Sequence, residues 1–270
     1  PQPVHKEDSA LVVIFDLSPS MLAEDIAPSR LVRARYKMID IFKARKQGLS
    51  ALVVYGGEAF AVSPLTEDSN TIVSLAPTLS PTLLPNFGSN TEDAIATALE
   101  LVTNGGFQQA EFLLITDGVD RSAFGDISNQ LSKENIRLHI LGVGTPQGAP
   151  IPMGNGGFVK DQNDSIILPR LDSASLKQLA NIGNGRYFSI TSNDSDIIAI
   201  TEAMEQEFPN TSEINDRSFD IWQDRGFWIL FLLLPLMLAS FRKGAMYVVI
   251  LAPSLMLTEP TEASAWQDLW

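Results

Sequence analysis

The residues best equipped for chemistry lie in one stretch, Val12-Val13-Ile14-Phe15-Asp16-Leu17-Ser18-Pro19-Ser20-Met21. An apolar, β-branched run ends at a carboxylate, and hydroxyls follow at alternate positions. Asp16, Ser18 and Ser20 offer hard oxygen donors, a set suited to Mg2+, Mn2+ or Ca2+ rather than zinc. Other chemistries are poorly supplied. The chain has no cysteine, so it has no thiolate metal site and no cysteine nucleophile. Its histidines are His5, near the start, and His139, inside an apolar run. A Ser-His-Asp hydrolase is therefore disfavoured, and His139 reads as a strand residue.

Three elements must position these oxygens. The run before Asp16 reads as a central strand buried on both faces. Pro19 cannot continue a ladder, so the strand ends near Asp16. Asp16, Ser18 and Ser20 then share a loop at the strand's C-terminal end, where open α/β sheets bind ligands. Phe112-Leu113-Leu114-Ile115-Thr116 reads as a second buried strand, ending at Asp117-Gly118. Gly88-Ser89-Asn90-Thr91 opens a helix whose apolar stripe is Ala94, Ile95, Ala98, Leu99 and Val102. Asp and Ser after a strand also occur in ordinary turns. What separates this set from a turn is the second strand ending in Asp and the hydroxyl-bearing helix start.

Asp-x-Ser-x-Ser after an apolar strand resembles the metal-ion-dependent adhesion site of von Willebrand factor A domains. The resemblance implies two further ligands: a Ser or Thr ahead of a later helix and an Asp after a later strand. Asp117 supplies the Asp. Counting back from Ile95 selects Ser89 for the hydroxyl, with Thr91 as the alternative. It implies a surface site with one coordination position left for the Asp or Glu of a protein ligand. With only two protein carboxylates the ion keeps positive character toward that ligand. Asp25 and Asp120 read as supporting or surface residues.

The rest of the chain alternates strands and helices. The strands are the run before Asp16, Leu49 to Tyr55, Ala59 to Ser63, Phe112 to Thr116, Ile136 to Val143 and Arg186 to Ile190. This predicts an α/β fold: a doubly wound, mostly parallel six-stranded sheet of the von Willebrand factor A or Rossmann-like kind. It covers residues 9–208, after a lead-in over residues 1–8 that lacks a signal-peptide pattern. Ala59 to Ser63 is expected to be the one antiparallel strand. The helix from Arg30 buries Leu31, Ala34, Met38, Ile41 and Phe42, and its Arg30, Arg33, Arg35 and Lys37 read as solvated surface. Ser173 is expected to cap a later helix. Phe158 to Lys160 and Ser165 to Leu168 flank a turn as a hairpin.

The composition then changes. Residues 209–225 are a polar juncture. Gly226 to Phe241 and Ala245 to Leu257 are apolar runs separated by Arg242-Lys243-Gly244. They read as two transmembrane helices over residues 226–258, with Trp222, Phe227, Trp228 and Tyr247 placed as interfacial anchors. The positive-inside rule puts Arg242 and Lys243 in the cytoplasm, hence the A domain in the periplasm. An acidic tail occupies residues 259–270. With 19 basic and 32 acidic residues and a net charge of −13, nucleic acid is an unsuitable partner. Starting on Pro1-Gln2-Pro3 without Met, the sequence reads as a piece of a longer chain.

Two narrower stretches, Ser20 to Leu31 and Gly142 to Pro152, resemble the aerotolerance-type (Bat) membrane proteins of bacteria. The hairpin from Gly156 and the apolar C-terminal runs add to the likeness. Position 19 departs from it, with Pro where the family often has Gly. The resemblance implies a non-enzymatic role in envelope stress tolerance at the bacterial inner membrane, beside a MoxR-class AAA+ ATPase and sister A-domain proteins. The rival readings are a metal-dependent phosphohydrolase and a scaffold with an empty metal site. The hydrolase would want more carboxylates, a general base and a Lys or Arg clamp.

Overall fold

A computed structural model describes residues 10–206 of the protein, apart from 46–47, 108, 133–134 and 155. The lead-in, the juncture, both apolar C-terminal runs and the acidic tail lie outside the described residues. Among the described residues no helix is long and apolar enough to cross a membrane.

The strands are β1 (Ala10–Asp16), β2 (Leu49–Tyr55), β3 (Ala59–Thr66), β4 (Gln109–Thr116), β5 (Asn135–Gly142) and β6 (Tyr187–Ser189). The helices are α1 (Arg30–Ala44), α2 (Ser69–Leu75), α3 (Thr91–Asn104), α4 (Phe124–Leu131), α5 (Ser173–Ile182) and α6 (Ser195–Gln206). The six strands form one sheet in the order β3-β2-β1-β4-β5-β6. Only the β2–β3 pair is antiparallel, as the sequence predicts.

Every residue of β1 is buried because the strand is covered on both faces. Ala10, Val12 and Ile14 pack with residues of α3, α4 and α5. Leu11, Val13 and Phe15 pack with residues of α1, α2 and α6. A strand in that position cannot alternate polar and apolar residues, which is why the run before Asp16 is uniformly apolar.

Several expected bounds shift. β3 continues past Ser63 to Thr66. Ser173 is the first residue of α5, and Asp172 caps it by accepting a hydrogen bond from Ser175 N. The expected hairpin is present as an antiparallel bridge between Lys160 and Ile166 and not as regular strands.

The larger correction concerns α1. Arg30 is fully buried and Lys37 nearly so. Each has carboxylate partners: Arg30 pairs with Asp25 and Asp117, and Lys37 with Asp196 of α6 at 2.7 Å. A buried charge persists only when paired, and both are. Arg33 and Arg35 are half-buried, with donor groups on the carbonyls of Ala27 and Pro77.

Candidate metal centre

The strand order places β1 beside β4, with β2 and β3 on one side and β5 and β6 on the other. The crevice at such a reversal of strand order, at the C-terminal strand ends, is where these sheets hold ligands. Asp16 is the last residue of β1, and Asp117 follows the last residue of β4.

The site builds up from Asp16. Its Oδ1 accepts a hydrogen bond from Ser18 N at 2.7 Å, which curls the loop back over the strand end. Its Oδ2 accepts from the Thr116 hydroxyl at 2.6 Å and the Tyr55 hydroxyl at 3.1 Å. The Ser18 and Ser20 hydroxyls are 3.0 Å apart, and Ser20 donates to Asp117 Oδ1 at 3.0 Å. Hydrogen bonds therefore bring Asp16, Ser18, Ser20 and Asp117 into one cluster. It lies just beneath the surface and not on it: Asp16, Ser18 and Asp117 are 0%, 4% and 6% exposed.

The two candidates at the start of α3 differ sharply. Ser89 is exposed. Thr91, the first residue of the helix, is 2% exposed, and its hydroxyl is buried without a hydrogen-bond partner. It lies beside the phenol of Tyr55, which in turn reaches Asp16. Asn90 caps the helix through Asp93 N, and its own N–H donates to the Gly56 carbonyl at 2.6 Å. Those bonds seat the helix start on the turn after β2. An open groove lined by Gly57, Gly88, Ser89, Thr91, Asp120 and Ser122 leads away from this point.

Three residues of the site were missed in the sequence: Tyr55, Thr116 and Arg30. Tyr55 and Thr116 end strands that flank β1, a position that could have flagged them. Arg30 Nη1 donates to Asp117 Oδ2 at 2.7 Å, while Nε and Nη2 grip both oxygens of Asp25. Asp25 also accepts from the backbone N–H and hydroxyl of Thr145. Asp120 instead caps a short 3-10 turn through Ser122 N, and Arg121 pairs with Asp172. His139 is buried in β5 with Nε2 2.8 Å from Glu111, outside the cluster.

Electrostatics follow from burial. Desolvation, and then the nearby Asp117 carboxylate, push Asp16 up to about 7. Burial likewise raises Asp117, against the opposing pull of Ser20 and Arg30. Burial works to raise Asp25 as well, but Arg30 and Thr145 outweigh it and hold Asp25 below the usual carboxylate range. Arg30 is thus matched by Asp25, which leaves Asp16 and Asp117 as the unbalanced pair. Two carboxylates, the hydroxyls of Ser18 and Ser20 and the unpartnered hydroxyl of Thr91 fit a hard dication, which would relieve the repulsion that raises Asp16.

Comparison with known proteins agrees with this fold. Residues 11–119 match the von Willebrand factor type A domain family. The described fold is similar to that of an aerotolerance-related membrane protein from Bacteroides fragilis, with 28% identity and a TM-score of 0.68. That match covers 73% of this chain and 99% of the other. The conserved hypothetical protein BatB from Bacteroides thetaiotaomicron is equally similar, at 28% identity and a TM-score of 0.68 over 73% of this chain and 98% of its own. A curated relative, a UPF0353 protein of Nocardia farcinica, is 23% identical over 239 residues, covering 80% of this chain and 68% of that protein. The resemblance to aerotolerance-type proteins drawn from the sequence therefore holds.

Proposed function

We propose that the protein is a membrane-anchored, metal-dependent protein-binding module whose ligands are Asp16, Ser18, Ser20, Thr91 and Asp117. The observation that carries this reading is the hydrogen-bonded cluster joining Asp16, Ser18, Ser20 and Asp117 at two adjacent strand ends. The burial and unpartnered hydroxyl of Thr91 support it in place of Ser89. A bound Mg2+ or Mn2+ supplies a Lewis-acidic position for the carboxylate of a partner's Asp or Glu. The chain's own residues do the rest. Thr116 and Tyr55 hold Asp16 in place, Ser18 N–H shapes the loop, and Ser20 and Arg30 orient Asp117. The groove beside Thr91 carries Glu92 and Asp120, so an acidic partner is repelled until the centre is loaded.

Membrane anchoring through residues 226–258, an A domain facing the periplasm of a bacterial inner membrane, and work beside sister A-domain proteins and a MoxR-class AAA+ ATPase belong to this proposal. They are supported by the apolar runs, by Arg242 and Lys243 between them, and by the likeness to aerotolerance-related proteins. The phosphohydrolase reading gains nothing from the site. Arg30 is buried and committed to Asp25, Asp117 and Pro169, and Arg121 is turned to Asp172.

The test is crosslinking in spheroplasts with a membrane-impermeant reagent, in Mg2+ or in chelator, for wild type and Asp16→Ala. Wild type in Mg2+ is expected to capture a protein partner that chelator and Asp16→Ala both abolish. Equal capture under all conditions contradicts metal-dependent binding, and labelling of the domain only after lysis contradicts the topology.

A further inference from the structure

The guanidinium of Arg30 is fully buried, and its donors are directed in four ways. Nε donates to Asp25 Oδ1 at 2.6 Å, and Nη2 donates to Asp25 Oδ2 at 2.7 Å and to the Pro169 carbonyl at 2.8 Å. Nη1 donates to Asp117 Oδ2 at 2.7 Å. Gly144, at φ +139°, lies against the same group, and a Cβ there would stand 2.9 Å from Arg30 Cζ. The guanidinium is therefore clamped by the loop after β1, the loop after β4 and the excursion after β5. Arg30 thereby joins the two stretches that stand out in the sequence, Ser20 to Leu31 through Asp25 and Gly142 to Pro152 through Gly144, to Asp117 and Pro169 outside them.

We propose that Arg30 is a positioning residue that sets which cation the centre prefers: by holding Oδ2 of Asp117 it leaves that carboxylate one oxygen to offer. The proposal rests on the metal-centre reading above. Asp16 is restricted in the same way: its Oδ2 accepts from both Thr116 and Tyr55, whereas Oδ1, which accepts only from Ser18 N, keeps a lone pair to offer, as does Oδ1 of Asp117 beside the Ser20 hydroxyl. Ca2+ takes roughly 6–8 oxygens and gains from bidentate carboxylates, whereas Mg2+ keeps several waters and is satisfied by one oxygen from each of one or two carboxylates. Two one-oxygen carboxylates with small hydroxyls therefore favour Mg2+ or Mn2+. The rigid, planar fork of arginine suits this task, since it can hold Asp25 with two donors and Asp117 with a third; a lysine would act as a mobile point charge.

The experiment is calorimetric titration of the full chain with Mg2+ alone and with Ca2+ alone. Wild type, Arg30→Met/Asp25→Asn, Asp25→Asn and Arg30→Lys are compared after circular dichroism has verified folding. The double variant keeps the net charge and removes the clamp on Asp117. Wild type is expected to prefer Mg2+, and Asp25→Asn, which retains Arg30, to keep that preference. The double variant is expected to lose about tenfold in the Mg2+-over-Ca2+ ratio, and Arg30→Lys to lose part of it. A merely structural role would weaken both ions alike. Wild type that binds Mg2+ without preferring it overturns the inference. So does an unchanged ratio in the double variant or, should that variant not fold, in Arg30→Lys. Wild type that binds neither ion overturns the metal-centre reading itself, a distinct result.

Discussion

Asp16 lies in surroundings that disfavour its charge. Burial and the neighbouring Asp117 push it up to about 7, whereas an unfolded Asp titrates near ~3.9. The folded state therefore binds the extra proton between those values. For such a raised carboxyl, the contribution to stability is whole at low pH and is lost as pH rises through about 7. Without metal, the thermal midpoint of wild type is expected to fall relative to Asp16→Asn from about pH 5 to about pH 8. Metal must displace the proton at low pH, so the Mg2+-induced rise in the wild-type midpoint should be larger at about pH 8 than at about pH 5. Unfolding scans of both proteins with and without Mg2+ decide this; a wild-type-to-variant difference that is flat with pH contradicts the account of Asp16. At this scale the sequence was informative where chemistry and strand end coincide, as at Asp16, Ser18, Ser20 and Asp117. It was less so for the hydroxyl at the start of α3 that is proposed as a fifth ligand. The choice between Ser89 and Thr91 depends on the residue at which α3 starts. That is decided by the Asn90 cap and its bond to Gly56, a contact between distant parts of the chain.

Among the elements, α1 ties the sheet's cover together. Arg30, Ala34, Lys37 and Ile41 follow the i, i+4, i+7, i+11 spacing of one helix face, and all four are buried. The spacing was there to be read; the charges concealed it, because a lone Arg or Lys is usually solvated. Nothing local announces that Asp117 and Asp196, far along the chain, wait beneath the helix. Lys37 meets Asp196 at 2.7 Å and also donates to the Asn193 carbonyl, while Asp196 accepts from Thr191 N. Removing one member of a buried pair leaves the other uncompensated. Lys37→Met is therefore expected to cost about 3–5 kcal/mol, and Lys37→Met/Asp196→Asn distinctly less than the single change. Denaturant titration followed by circular dichroism measures both. A Lys37→Met cost under about 1 kcal/mol would mark the pair as no more than a surface bridge.

For the molecule as a whole, apolar runs alternating with amphipathic stretches made the mostly parallel sheet legible, whereas the order β3-β2-β1-β4-β5-β6 is set by pairing between strands far apart in the chain. The net charge of −13 sets the protein against acidic partners in general, so binding one needs a local source of positive charge. The cluster between β1 and β4 is where the fold can hold such a source. The most direct test is anomalous diffraction from crystals grown with Mn2+. The account predicts one ion bounded by Asp16, Ser18, Ser20, Thr91 and Asp117, with Ser89 outside its shell and Arg30 still on Asp117. Strong Mn2+ density elsewhere, with the Ser20–Asp117 hydrogen bond unchanged and no ion between the two strand ends, would contradict it.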